Sequence, residues 1–402
     1  MINLLLSYIE DIGLRAFDHL KHLVLSIGPR GATTENERRA AMYIERILRA
    51  SGLAVWTQEF PSIPSPSYSY ILIYTLCIIG TFLCFLDFVM GAVIVITAYT
   101  FYVLENIFLL PIVTQLLSFI FGYRSKNVIG LLKSDEVPRI RVVLIAHYDT
   151  AKASSIFKPE KIKNIKSIVR TCFTSFTLIV VLSIINIFIE SYALSMLIVF
   201  AGIPIYIELH GLIESELKHN YVVGANDNAS GVAVLLALAE YLGRSKPMDS
   251  EIWFIATGAK EVNTLGITNF VEKYRDILNS AYIINFDSLG KGELHYVLCE
   301  GILKKYCLKQ RALKEVADKV GREIGIRPRE HQLLLTDSSI LLKNDYEALT
   351  LMGLSEYNLP MDYHWYTDTL IGIKISNLRK AIEFTIAVID ELRGINKSKI
   401  LN

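Results

Sequence analysis

The chain's 402 residues suffice for one large α/β domain or two small ones, and 41 basic against 40 acidic residues leave a net charge of +1. That balance excludes nucleic acid as a partner recognised through overall charge. The apolar share is 52%, only 20% of residues are charged, and mean hydropathy is +0.38; soluble chains hold roughly 45–50% apolar residues, so segments buried in a lipid bilayer are expected.

The first 30 residues, "MINLLLSYIEDIGLRAFDHLKHLVLSIGPR", carry Glu10 and Asp11 directly after a short apolar patch. They have no basic start and no small-residue cleavage site, and read as an amphipathic helix rather than a signal peptide. "TTENERRAAMYIERILRASG" follows as a helix, with Thr34 as N-cap, Glu37 in the capping-box position and Gly52 at its end. Tyr68 to Tyr123 is then too apolar for a soluble domain. A span needs about 20 apolar residues, so this block holds two spans broken near Asp87, and the stretch after Pro111 reads as a tilted extension or an interfacial helix. A second block, Thr171 to Leu209, breaks at Glu190–Ser191 into another pair. Both blocks far exceed a core helix of about 12 residues.

Three short apolar runs, "RVVLIAHYD", "EIWFIATGAKE" and "AYIINFDSLG", read as strands. Helical patterns such as "ASGVAVLLALAEYLGRS" and "LKEVADKVGREIGI" lie between or after them, which argues for an α/β sheet with parallel strands. If one sheet flanks both apolar blocks, each block crosses the membrane an even number of times. "KPEKIKNIKSIVR" before the second block, with Arg124 and Lys126 after the first, places the α/β domain and both termini in the cytoplasm by the positive-inside rule. Cys77, Cys84, Cys172, Cys299 and Cys307 show neither CxxC spacing nor an even count, so no disulfide framework and a reducing compartment are expected.

Residues of metal-ligand type recur just past strand ends, where α/β domains place their sites. His147 and Asp149 close the first strand, Glu261 the second and Asp287 the third. Asp227 sits in "VVGANDNASG" before an apolar helix, and His364 in "MDYHWYTDT". Two histidines and three carboxylates suit a pair of zinc ions with one carboxylate bridging. Two such ions can share a hydroxide, lowering its pKa while one polarises the scissile carbonyl. Asp149 and Asp368 are placed to accept the other ring N–H of a ligand histidine.

The motifs "IGPRGATTENERRAAMYIERILRASGLAVWTQEF", "NVIGLL", "LIAHYDT", "GANDNASGVAVLLALAEYL", "GAKEVNTLGITNF", "INFDSLG" and "YHWYTDT" together resemble metallopeptidase family twenty-eight. These are dizinc aminopeptidases related to glutamate carboxypeptidase, transferrin receptor and glutaminyl cyclase. The resemblance covers nearly all of the chain outside the two apolar blocks. It implies an α/β zinc-exopeptidase-like domain, with a central mixed, mainly parallel sheet flanked by helices and interrupted by two transmembrane helical hairpins. The peptidase domain would comprise 1–67, 124–170 and 210–402, and the hairpins 68–123 and 171–209. Position by position, His147 and Asp287 would hold one zinc ion, Glu261 and His364 the other, and Asp227 would bridge them. Tyr357 or Tyr363 would supply an oxyanion-stabilising hydroxyl.

Two departures stand out. The family usually has Glu-Glu before "xxxLG", the first acting as general base, and this chain has Lys260–Glu261. A lysine ammonium cannot accept a proton from water. Three readings follow: a lysine made neutral by burial beside two dications and acting as the base, a proton handled by another carboxylate, or a metal-binding protein that hydrolyses poorly. In "LLLTDSSILL", Asp337 keeps an acidic position while Ser338 stands where family members often have histidine.

The resulting expectation is an integral membrane aminopeptidase with two zinc ions per chain, working through a dizinc-bound hydroxide on peptide or protein N-termini. Its alternatives are a catalytically weak metal-binding homologue and a glutaminyl-cyclase-like transferase. The expected partners are the N-terminal substrate and the lipid bilayer, with no nucleic acid.

Overall fold

Apolar, β-branched runs supply the framework. The computed structural model describes the backbone of residues 2–245, 249–309, 311–331 and 335–400, with side chains except at 2–10 and 395–400. Nine strands form one sheet: β1 (Ala54–Ser62), β2 (Tyr123–Leu132), β3 (Ile140–His147), β4 (Ser250–Thr257), β5 (Ala281–Asp287), β6 (Glu293–Glu300), β7 (Tyr306–Cys307), β8 (Arg327–His331) and β9 (Glu347–Leu354). Their order is β1–β2–β4–β3–β5–β9–β6–β7, with β8 paired to β6. β4, β3, β5 and β9 run parallel. β1 and β2, like β6 and β7, add antiparallel wings. The sheet is therefore mixed as expected, but not mainly parallel. Strands close in sequence fold back on one another at both edges, and runs of apolar residues do not reveal such pairings.

The central strand β3 is buried along its length, with Val142 to Ala146 at 0% exposure. A parallel strand covered on both faces needs such a continuous apolar run. One cover includes α1 (Ile2–Lys21), α2 (Glu35–Ala50), α9 (Ser230–Ser245) and the helices Ala312–Ile324 and Ile375–Ile400. The other includes Leu265–Lys273 and Asp337–Lys343. Thr34 caps α2 by accepting the Glu37 N–H at 3.2 Å. Glu37 departs from the expected capping box: its carboxylate accepts from the Thr33 N–H at 2.6 Å and turns inward.

A bidentate pair from Arg15 to Glu240, both bonds 2.8 Å, clamps α1 to α9. Burial works against the Glu240 charge, but Arg15 and the neighbouring His19 prevail and lower its pKa from 4.5 to about 2. A lowered folded value contributes stability above the ordinary pKa and loses it as pH falls through about 2. The Tm difference between wild type and Glu240→Gln is therefore expected to be full at neutral pH and to shrink below about pH 4.5. A difference that grows on acidification would contradict this clamp.

The apolar blocks are helical insertions that return to where they leave the sheet. The first comprises α3 (Ser67–Leu83), α4 (Phe88–Asn106) and α5 (Ile112–Phe121). It joins β1 to β2, whose ends pair at Ser62 and Tyr123. Asp87 marks the break between α3 and α4 and caps α4 through the N–H groups of Val89 and Met90. The second comprises α6 (Ile165–Ile189), α7 (Tyr192–Ala201) and α8 (Ile203–Lys218), with the chain turning at Glu190 in a left-handed conformation. Its ends are closed by a bridge between Lys152 and Tyr221. The two insertions share an apolar core of their own, centred on Tyr74, Val95, Tyr102, Phe176, Ile179 and Ile198. Their outer faces leave Leu86, Val93, Phe188 and Ile207 exposed. By length and apolarity α4 qualifies as a span, as does the helical run Ile162–Ile189; the pair α7–α8, bent by 44°, gives a third if taken together.

One cysteine expectation is overturned. Cys299 on β6 and Cys307 on β7 face each other across the ladder and form a disulfide. Their spacing gives no hint of this, because the partnership arises from β7 folding back on β6.

Candidate metal centre

The carboxyl ends of the parallel strands bring the ligand-type residues together. His147 is the last residue of β3 and Asp287 the last of β5, while Glu261 lies in the loop after β4. Asp227 sits in the buried turn before α9, where the Asp227–Asn228 peptide bond is cis. Gly231 in the same motif must lack a side chain: a Cβ there would lie 2.4 Å from Asn228 Oδ1 and 2.5 Å from the Phe286 carbonyl.

Two groups form around Asp227. His147, Asp227 and Asp287 make one and Asp227, Glu261 and His364 the other, with the ligand atoms of each group within 4.8 Å of one another. His147 Nε2 is 3.1 Å from Asp227 Oδ1 and 3.7 Å from Asp287 Oδ2. His364 Nε2 is 3.1 Å from Asp227 Oδ2 and 3.0 Å from Glu261 Oε2. Despite this proximity, both Nε2 atoms, both Asp227 oxygens and Asp287 Oδ2 are buried without an aligned hydrogen-bond partner among the described residues. Orphaned buried polar atoms are costly. Atoms that converge on common points instead of on each other fit divalent cations, and imidazole with carboxylate is the donor set zinc prefers.

The orienting residues differ from expectation. His147 Nδ1 meets the backbone carbonyl of Asp149 at 3.2 Å. A carbonyl only accepts, so Nδ1 carries the proton and Nε2 presents its lone pair to the cluster. The Asp149 carboxylate instead accepts from the N–H groups of Lys260 and Glu261, at 3.0 and 2.9 Å, and so fixes the loop after β4. Asp368 likewise accepts from the N–H groups of Asn226 and Asp227, at 2.7 and 2.9 Å, in place of a bond to His364. Both carboxylates position backbone, because two successive N–H groups match their two oxygens.

Lys260 lies inside the cluster. It is 3% exposed, and its Nζ is 2.9 Å from Glu261 Oε1, 3.6 Å from Asp287 Oδ2 and 3.9 Å from Asp227 Oδ1. Burial opposes its charge, but the surrounding carboxylates, Asp287 and Glu261 foremost, hold its pKa well above the ordinary value. Among the chain's own groups, these carboxylates favour the charged form of the lysine. Glu261 is held at about 2, with His364 and Lys260 overcoming its burial.

Tyr363 is buried and stacks on His364 with ring centroids 3.8 Å apart. Tyr357, the other candidate hydroxyl, is 64% exposed and does not line the cavity beside the ligands. Asp337 accepts from Thr257 at 2.6 Å, and burial raises its pKa to about 6; Leu333 and Leu334 of its motif lie outside the described residues.

The buried supporting roles of two residues escape sequence reasoning. The Arg30 guanidinium donates to the carbonyls of Leu23, Gly28, Tyr148, Val223 and Gly224, joining the end of β3 to the Asp227 turn. Glu37 accepts from Ser125 at 2.6 Å and from the Ala259 N–H at 3.3 Å, supporting the loop that carries Lys260 and Glu261. Arginine and glutamate beside a helix start look like surface charge, and only long-range contacts reveal them.

Comparison with known proteins adds four findings. Residues 210–389 match the model of peptidase family M28, a stretch that includes Asp227, Glu261, Asp287 and His364. Aminopeptidase YwaD of Bacillus subtilis is 42% identical over 69 residues, 17% of this chain and 15% of that protein; the match thus spans less than a fifth of this curated relative. The solved structure of the zinc aminopeptidase BSAP from Bacillus subtilis superposes with a TM-score of 0.56 at 16% identity, covering 94% of each chain. Glutaminyl cyclase from Porphyromonas gingivalis gives 0.56 at 16% identity, covering 94% of this chain and 98% of that one. At such identity these two likenesses concern the fold.

Proposed function

We propose that the chain, whose residues 210–389 match the model of peptidase family M28, is a member of that family and a membrane-embedded, zinc-dependent aminopeptidase that releases N-terminal residues from peptides. The observation that carries this reading is the convergence of five orphaned ligand atoms from His147, Asp227, Asp287 and His364 beside a cavity. His147, Asp227 and Asp287 would hold one cation and Asp227, Glu261 and His364 a second. When bound, such ions supply Lewis-acid activation of water and of the scissile carbonyl.

The chain's own residues set the conditions for that chemistry. Asp149 and Asp368 hold the ligand loops, and Tyr363 packs His364 in place. Lys260 puts a cation where the family usually has its proton acceptor. This favours a second reading, a metal-binding homologue with weak or no turnover. The glutaminyl-cyclase-like alternative is separated by product: it would cyclise an N-terminal glutamine and release no amino acid.

The exposed apolar outer faces of α4, α6, α7 and α8 support membrane insertion, because contiguous apolar surface of that extent is rare on soluble proteins. Orientation has two opposed indicators. The basic stretch 158–170 favours a cytoplasmic peptidase domain, whereas the Cys299–Cys307 disulfide favours an oxidising side. Labelling of an introduced surface cysteine in intact cells separates them.

The test of function is zinc analysis of detergent-purified protein together with a peptide panel. Bound zinc is expected, along with release of N-terminal residues that stops on chelation and returns with zinc. Absence of both zinc and release would refute the reading; zinc with no turnover on any peptide would select the second one.

A further inference from the structure

The cavity beside Glu261 and His364 does not end at the sheet. It encloses about 270 Å³ and continues between α3, α4, α6 and α8, so the inserted helices form its floor. Small-molecule pockets run from about 300 to 1,000 Å³, which makes this one the size for a single side chain rather than a folded ligand. At the level of the ligand loops, the Tyr70 hydroxyl lies 3.2 Å from Asn106 Oδ1 and 3.4 Å from Asn263 Oδ1, two residues past Glu261. One helical turn deeper, Tyr74 and Tyr102 form the wall, with ring centroids 6.2 Å apart.

α8 brings a carboxylate to this depth. Ser215 donates to the Ala153 carbonyl at the rim, and Glu208, seven residues earlier, lies roughly 10 Å further along the helix at 1.5 Å per residue. Glu208 lines the cavity together with Tyr74 and Tyr102. No described residue pairs with its carboxylate. Lys152, the basic residue nearer the mouth, is taken by Glu216 at 2.7 Å. An ionisable residue within an apolar helical bundle is expensive and marks a site for a partner. The wall between mouth and carboxylate is aromatic, suited to a methylene stem and to a cation near ring faces.

We propose that this cavity is the specificity pocket for the substrate's first residue, with Glu208 receiving the cationic end of a long side chain, so that the substrates are peptides beginning with lysine or arginine. The assignment rests on the aminopeptidase reading above. Gly211, one turn from Glu208 on the same wall, leaves room for a side chain, since a Cβ there would meet nothing within 4 Å.

The experiment compares kcat/KM for matched substrates beginning with lysine, arginine, leucine and alanine. Wild type is expected to favour the basic residues at least tenfold. Glu208→Gln is expected to abolish that preference, acting mainly through KM of the basic substrates, with zinc content and alanine turnover unchanged. Gly211→Leu is expected to suppress lysine and arginine more than alanine, because it fills the passage without touching a ligand loop. An unchanged basic-to-leucine ratio in Glu208→Gln would overturn the pocket assignment. Should no substrate be turned over at all, the aminopeptidase reading fails separately, and the pocket is judged by calorimetry. Lysine amide is then expected to bind wild type at least tenfold more tightly than leucine amide does, and equal affinities would overturn the proposal.

Discussion

Replacing Lys260 with glutamate is expected to tighten binding of the second divalent ion and to raise peptide hydrolysis by at least about 10²-fold. The physical reason is charge. The carboxylates of Asp227, Glu261 and Asp287 balance one dication plus the Lys260 ammonium, which lies within 4.0 Å of all three. A second dication would leave the buried site with an excess of positive charge. Two unit charges about 4 Å apart interact by about 4 kcal/mol at an effective dielectric near 20, enough to change an ion's affinity by orders of magnitude. Glutamate reverses that repulsion and supplies a proton acceptor, itself worth roughly 10²–10⁴-fold.

Lys260→Met separates the two effects. Losing the ammonium alone is expected to raise metal occupancy without restoring the rate. After chelation, Lys260→Glu is expected to be less stable than wild type, since a fourth carboxylate then faces three others without a counter-ion. Metal analysis, kcat and Tm with and without chelator read these outcomes. Unchanged occupancy and rate in Lys260→Glu would show that the lysine does not govern the site.

Arg30→Leu is expected to cost most of the protein's stability. Of the five carbonyls that accept from Arg30, those of Leu23 and Gly224 also accept the N–H groups of Gly28 and Ala229. The carbonyls of Gly28, Tyr148 and Val223 would lose their described partner. At roughly 1–3 kcal/mol for each buried orphan, the loss is about 3–9 kcal/mol, set against a total of about 5–15 for a domain. Burial lowers the Arg30 pKa only to about 10, so its charge persists at neutral pH. Because the guanidinium joins the His147 strand to the Asp227 turn, zinc occupancy should fall with stability. Arg30→Lys, keeping one or two of the bonds, should fall between. A wild-type Tm in Arg30→Leu would show that other contacts hold the turn.

Local patterns carried much of this fold. The runs ending in His147 and Asp287 are continuous apolar stretches, and both became buried parallel strands. Asp87, Pro111 and Glu190 broke the apolar blocks where capping and backbone chemistry require. The candidate ligands were legible through residue type and motif order, and the structure brings His147, Asp227, Glu261, Asp287 and His364 into two groups sharing Asp227. What each neighbouring carboxylate does was not legible. Asp149 and Asp368 sit close in sequence to the histidines they were expected to orient, yet both bind backbone N–H groups of distant loops. The disulfide partner of Cys299, eight residues away, was hidden because it depends on β7 folding back on β6.

By itself, then, the sequence determined the strand-end residues of metal-ligand type, the two helical insertions and the unusual lysine, since each depends on residue type, hydrophobic period or position within a motif. Only the tertiary structure decided that Lys260 lies among the carboxylates instead of beside them, that Arg30 and Glu37 are internal supports, and that the insertions extend the cavity down to Glu208. Those features depend on which residues meet across separate loops and elements, as Lys260 meets Asp287 and Glu37 meets Ala259. Burial and electrostatics act on that proximity, and one-dimensional spacing does not encode it.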